Sequence, residues 1–482
     1  MHVFPKTMAR YITTTLPYVN ADPHIGHALE FVQTDALART WRLMGEEVFF
    51  NTGTDEHGQK IYEAAQKAGE DVHAYTDRYA LEFRKLGEAL NLSNDAFIRT
   101  TKPEHYAAAQ EMWKRCDARG DIYKKAYEGL YCVGCEKFLT EKDIENGNCI
   151  IHGKAPITLK EENYFFRFSN YQDALLEYLS REDSVLPSWR REEAIAFVRG
   201  GLEDFSISRQ KDRLSWGIPV PEDDTQVMYV WFDALVNYIS TLGWPTDEKG
   251  LFKKFWEEGV TVQMAGKDQV RFQSLMWQAM LMSASIKNTD RIFYHGFINS
   301  GGQKMSKSLG NVINPHELVA KYGTDATRYL LLRHVHPFED TDVTWERLDE
   351  WYTANLVNGL GNLVSRVMKL AQEHLEAPID IPEPSPFPEE LSKGLEEFEF
   401  QKALDYIWER IGKADARMTT DAPFKLIKTD AEKAKHIIRE LVAEVYWIGR
   451  FLFAFMPETN EKIKQAVKEN KKPENLFPRL GA

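Results

Sequence analysis

Apolar positions set the first elements of this chain. Tyr11 to Thr15 is a short run rich in β-branched residues and predicts a buried strand. After a loop holding Pro17, Asn20, Asp22 and Pro23, apolar residues recur at Ile25, Leu29, Val32, Ala36, Leu37 and Trp41. That is helical spacing; it predicts a helix over Ile25 to Met44, stopped by Gly45. Glu47 to Asn51 is the next predicted strand. Strand, helix, strand at this spacing predicts a parallel sheet in an α/β domain. The pattern returns at Gln226 to Tyr238, Val260 to Ala265 and Arg291 to Ile298.

Residues 116–165 interrupt it with clustered Cys, several Gly and few apolar runs, which suggests an inserted module. From Asp349 onward the pattern is helical: Leu356, Leu360, Leu363, Val364, Val367 and Leu370 share one face. Prolines at 378, 382, 384, 386 and 388 mark a loop; helices resume from Ser392 through Phe455, and the tail from Lys471 is expected to be extended and packed on the surface. The expected fold is an α/β, Rossmann-like parallel-sheet domain split by an insertion and followed by an α-helical bundle. The expected segments are 1–115, an insertion over 116–225, 226–345, and a helical region over 346–482.

The apolar fraction of 43% and aromatic fraction of 12% support a large core and exclude disorder. No apolar run is long enough to span a bilayer, and the first residues lack a signal-peptide pattern, so a cytoplasmic location is the expectation. The net charge of −13 argues against nucleic-acid binding by the chain as a whole. Gln401 to Ala482, however, carries 16 Lys and Arg against 12 Asp and Glu, a net of +4. That suits an RNA touching one end, and equally suits an ordinary Lys-rich helical surface.

Three of the four Cys fall in Cys132-Val133-Gly134-Cys135, followed after thirteen residues by Cys149-Ile150-Ile151-His152. Two turns that each present a ligand pair make a tetrahedral site for one structural Zn²⁺, and three thiolates with one imidazole suit zinc over magnesium or calcium. Cys116, on a helix pattern beside Trp113, is expected to be a buried bystander.

Two further patterns carry chemistry. Pro23-His24-Ile25-Gly26-His27 lies between a predicted strand and helix, where helix N-terminal amides attract phosphate. Two imidazoles there can donate to a polyphosphate, and Gly26 lets a flat base approach the backbone; the bland alternative is a capping or surface His pair. Gly302-Gln303-Lys304-Met305-Ser306-Lys307-Ser308 offers two lysines on a loop, either to close over phosphates or simply to be solvated.

Together, in this order and separation, the two motifs resemble the signatures of class I aminoacyl-tRNA synthetases. Thr13 to Asn20, Gly53-Thr54-Asp55-Glu56-His57-Gly58, Ile207-Ser208-Arg209, Tyr229 to Ala234, Gly266-Lys267-Asp268 and Leu476 to Arg479 resemble the methionyl branch. The resemblance implies transfer of L-methionine to its tRNA through an adenylate, with ATP and its Mg²⁺. It implies catalytic roles for His24, His27, Lys304 and Lys307. It places Leu16, Tyr18, Asp55, Trp231, Ala234, Tyr238 and Gln273 at methionine, with Asp55 on the ammonium. It places His24, Gly26, His27, Gly266, Lys267, Asp268 and Lys307 at ATP. Asn362, Arg366 and Phe424 would touch the anticodon, and the chain is expected to be a monomer. Core packing is the alternative for Trp231, Tyr238 and Phe424.

One departure stands out. The methionyl branch usually has His where this chain has Gln273, and an apolar residue where it has Gln269. Gln273 is expected to bond Tyr18, Tyr238 or a water rather than the sulfur, a weak acceptor. Leucyl, isoleucyl and valyl enzymes carry an editing insertion for which this chain is too short. Small nucleotidyltransferases with a similar His motif lack the zinc module and helical region. An inactive tRNA-binding relative would not need His24, His27, Asp55, Lys304 and Lys307 intact.

Overall fold

The structure, a computed structural model, describes residues 8–135, 137–305, 311–381 and 388–481. Its backbone forms two compact units. One comprises Met1–Asp22, Glu46–Lys85 and Asn94–Tyr294; the other comprises Pro23–Gly45, Leu86–Ser93 and His295–Ala482.

The central sheet has six strands in the order Ala96–Arg99, Glu47–Thr54, Ala9–Thr14, Val260–Gly266, Arg291–His295, Val185–Leu186. Ala9–Thr14 pairs parallel to both neighbours, with Ile12 opposite Phe50 on one side and Val262 on the other. Buried strands of this kind read as apolar runs because both faces are covered. The helix between the first two strands runs Ile25–Leu43, and Gly45, at φ 88°, turns the chain out of it. Tyr11, Trp256 and Trp277 form a chain of tilted and edge-on ring contacts at 5.9 and 6.0 Å in the core of the first unit.

The pattern at Gln226 to Tyr238 does not add to this sheet. Its strand, Asp223–Met228, pairs antiparallel with Ser208–Gln210 and Pro219–Val220, and two short helices, Val230–Ala234 and Asn237–Ser240, follow. The cause is local: Pro221 and Glu222, the latter at φ 64°, make a tight turn that returns the strand on its predecessor, and such turns join antiparallel strands only.

Within 116–225, two long strands, Ile122–Cys132 and Ile157–Phe166, run antiparallel and carry the Cys cluster at their far end. Val185–Leu186 then pairs parallel with Arg291–His295.

The second unit is mostly helical. Asp35 and Arg328, both wholly buried, pair at 2.7 Å. Arg328 also donates to the carbonyls of Leu90, Ala454 and Phe455, and Asp35 accepts from Arg39 and from the amide and hydroxyl of Ser93. Burial alone would raise the Asp35 carboxyl; the guanidinium charges and the Ser93 bond bring it below its ordinary range. The tail docks through Phe477, which is buried and meets the Tyr352 ring edge-on, while Tyr352 Oη donates to the Pro478 carbonyl at 2.8 Å. Pro382, Pro384 and Pro386 lie outside the described residues. No helix among the described residues is long and apolar enough to cross a membrane.

Candidate functional site

In the first unit, backbone bonds join the segment after Ala9–Thr14 to the segment after Glu47–Thr54. Asp55 N donates to Pro17 O at 2.9 Å and Val19 N donates to Asp55 O at 3.2 Å, so backbone bonds fix Asp55 beside Tyr18. Leu16, Asp55, Ala234 and Tyr238 are buried, and Tyr18 and Trp231 are half-buried. Trp231 stacks on Phe272 with centroids 4.0 Å apart. Phe272 is a residue that sequence reasoning missed, although it directly precedes Gln273.

Gln273 is 1% exposed. Its Nε2 donates to Tyr238 Oη at 2.6 Å and to Thr15 Oγ1 at 3.0 Å, so both amide hydrogens are used. The bond to Tyr238 matches expectation; Thr15 was not foreseen as its partner. Gln269 Nε2 donates instead to Asp268 at 3.1 Å. Gly266 closes the strand Val260–Gly266, and Lys267 and Asp268 occupy the turn that follows it.

In the second unit, His24 and His27 bracket the start of the helix Ile25–Leu43. Gly26 N donates to His24 Nδ1 at 3.1 Å, and His24 N donates to His27 Nδ1 at 3.2 Å. Each Nδ1 is therefore an acceptor, which leaves the hydrogen of each neutral ring on Nε2. The rings stack with centroids 3.7 Å apart, so two imidazoliums here would repel. Burial, then the neighbouring His24 and His295, hold His27 well below its ordinary pKa. Gly26 has its place in this cap: a Cβ there would stand 3.0 Å from the His24 ring. One turn on, Glu30 Oε2 lies 3.0 Å from His295 Nε2, while His295 Nδ1 donates to Gly296 O; nothing in the local sequence pointed to this pair.

Lys304 sits on the short strand Gln303–Lys304, its backbone opposite Asn299 across a turn at Gly301 and Gly302. Lys307 lies outside the described residues, as do Ser306 and Ser308.

The Cys cluster closes on itself. The sulfurs of Cys132, Cys135 and Cys149 and a ring nitrogen of His152 all lie within 4.8 Å of one another. Cys135 Sγ is 3.5 Å from Cys149 Sγ and 3.2 Å from His152 Nδ1. Four donors at about 2.0–2.3 Å from one tetrahedral ion stand about 3.5–3.8 Å apart, so the arrangement fits a metal. An Asn146-Gly147 turn, with φ 52° and 79°, delivers Cys149, and a Cβ on Gly134 would strike the His152 ring at 2.6 Å. Burial would raise the Cys149 thiol, but the amides of His152 and Ile151 and the Cys135 and Cys132 thiols bring it below its usual range. Cys116 is buried in the helix Pro103–Ala118, apart from this group.

On the helix Asn362–His374, Asn362 is exposed, and Arg366, one turn on, pairs with Asp415 at 2.7 Å. Phe424 is 41% exposed, unusual for a Phe, with Lys425 Nζ 5.8 Å from its ring centre. It is not a core residue.

A six-stranded sheet with parallel pairing, a His-capped helix start and a Cys-His cluster agree with a class I synthetase. The family described as tRNA synthetases class I (M) matches residues 10–149 and 140–368. The Methionine--tRNA ligase of Fusobacterium nucleatum is 39% identical over 97% of this chain and 75% of its own length; that of Mycobacterium leprae is 41% identical over 94% and 88%. Among solved structures, Mycobacterium tuberculosis methionyl-tRNA synthetase in complex with methionyl-adenylate superposes with a TM-score of 0.88 at 37% identity, over 95% of this chain and 93% of that one. The chain belongs to this family, the methionyl branch of the class I tRNA synthetases.

Proposed function

We propose that this chain joins L-methionine to its tRNA in two steps. The methionine carboxylate attacks the α-phosphorus of ATP, giving methionyl-adenylate and pyrophosphate. The 3′-terminal ribose hydroxyl of the tRNA then attacks the adenylate carbonyl, and AMP leaves. The observation that carries the reading is an acid, Asp55, fixed beside Tyr18 in the same unit as the stacked Trp231–Phe272 pair and the Tyr238–Gln273 hydrogen bond. Asp55 takes the ammonium, and the aromatic wall, with Leu16 and Ala234, suits a polarizable thioether.

His24 and His27 act as neutral donors through Nε2 toward ATP oxygens, at a helix start whose amides favour the same charge. Being neutral, they give hydrogen bonds that strengthen as charge grows in the transition state. Lys304 and Lys307 add positive charge to the leaving pyrophosphate, and Gly26, Gly266, Lys267 and Asp268 seat the nucleotide with its Mg²⁺. Asn362, Arg366 and Phe424 read the anticodon, with Phe424 as a stacking face. The cluster of Cys132, Cys135, Cys149 and His152 holds one Zn²⁺, which crosslinks the end of the inserted module. The catalytic domain comprises 1–115 and 226–345, the insertion 116–225, and the anticodon domain 346–482; the enzyme works as a cytoplasmic monomer.

Methionine-dependent ATP–pyrophosphate exchange, followed by charging of methionine tRNA, tests this function. Exchange supported by no amino acid would defeat it.

A further inference from the structure

A buried polar cluster with no part in the chemistry above adjoins, along the chain, the residues read as the methionine pocket. Asp233 is wholly buried. Its Oδ2 is 3.3 Å from His57 Nδ1 and its Oδ1 is 3.7 Å from His105 Nε2, and no other donor among the described residues reaches it. The imidazoles are buried too and are held on their far sides. His57 Nε2 lies 3.0 Å from Tyr106 Oη, and His105 Nδ1 lies 2.9 Å from Ser240 Oγ. The Trp216 ring packs on His57 at 5.3 Å.

A hydrogen on His57 Nδ1 and on His105 Nε2 would face the carboxylate. A buried carboxylate needs such donors, since an uncompensated charge in the interior is very costly. Burial alone would raise the Asp233 carboxyl, but the two imidazoles bring it below its ordinary range.

The three residues stand where the pocket is assembled. His57 is two residues past Asp55. Asp233 lies between Trp231 and Ala234 on the five-residue helix Val230–Ala234, which has no side-chain cap and cannot hold its shape alone. Ser240 ends the short helix that carries Tyr238. We infer that His57, Asp233 and His105 are positioning residues that tie the ammonium end of the methionine site to its side-chain end and thereby set methionine affinity. This rests on the reading of Asp55, Trp231, Ala234 and Tyr238 as the methionine pocket. A ligand gripped at both ends is sensitive to displacements on the order of 1 Å between the grips.

Asp233→Asn keeps shape and removes charge. In the full chain it should raise the methionine KM in pyrophosphate exchange by about tenfold or more, as expected for removing a buried charge from the groups that hold it. The ATP KM and the saturated rate should stay within about threefold. Calorimetry should show the same loss in methionine Kd. His105→Gln, which keeps a polar group toward Ser240 and loses the imidazole facing Asp233, should match it, and the double variant should be no worse than either single one. His57→Asn, which retains a neutral donor, should largely preserve affinity where His57→Ala does not. A methionine KM within about twofold of the parent in Asp233→Asn, or equal losses for methionine and ATP, overturns the proposal. Should Asp233→Asn fail to fold, His105→Gln decides by the same criterion. A parent that does not activate methionine overturns the underlying pocket reading instead, so the two failures are distinct.

Discussion

Gln273 spends both amide hydrogens on Tyr238 and Thr15 and so fixes one wall of the proposed methionine pocket. Replacing it with Ala removes the bond to the buried Tyr238 hydroxyl. Gln273→Ala should therefore raise the methionine KM while leaving that of ATP unchanged, by about two- to tenfold if one neutral bond worth about 0.5–1.5 kcal/mol is lost. Gln273→His should be tolerated, because an imidazole can keep the Tyr238 bond. Steady-state exchange with each substrate varied in turn checks both, and parental behaviour in both variants would remove Gln273 from the pocket. At the phosphate end, Lys307→Ala should slow adenylate formation about 10²-fold or more and leave methionine binding nearly intact, as a contact made in the transition state should. Loss of ground-state ATP binding with an unchanged rate would contradict that role.

At the scale of elements, stability is concentrated in two devices. The knuckle has short strands and a small apolar core of Cys132, Leu139 and Cys149, too little to hold a fold unaided. Protein purified without chelator should carry one equivalent of zinc by elemental analysis, and Cys135→Ala should lose it; an absence of zinc in the parent would contradict the site. The second device is the buried pair of Asp35 and Arg328. Asp35→Asn leaves a buried guanidinium short of its counter-charge and should cost about 3–5 kcal/mol by denaturant titration. The pH sign follows from the lowered Asp35 carboxyl: its contribution is complete above the unfolded value of 3.8 and is lost as pH falls through the lower folded value. That acid-limb loss should be absent in Asp35→Asn.

For the whole molecule, what the sequence disclosed was what is local in the chain. The strand, helix and strand from Ala9 to Thr54 and the two ligand pairs of the knuckle are each set by residues a few positions apart. The His pair was visible as a motif, but its proton assignment needed the backbone bonds to each Nδ1. Features joining distant segments stayed hidden. Trp231 meets Phe272, and Asp233 meets both His57 and His105, only because the fold brings separate elements together. Asp223–Met228 was misread because one apolar run suits a parallel or an antiparallel strand equally, and the turn before it decided. The membership of 10–368 in the synthetase family and the adenylate-bound neighbour bear on the whole chain as no single motif does. The central claim is that this pocket selects methionine for activation by ATP. Its most direct test is pyrophosphate exchange measured with each of the standard amino acids in turn. Exchange with methionine should run at a kcat/KM about a hundredfold or more above any other, the discrimination one well-shaped pocket can supply. Exchange led by another amino acid would contradict it.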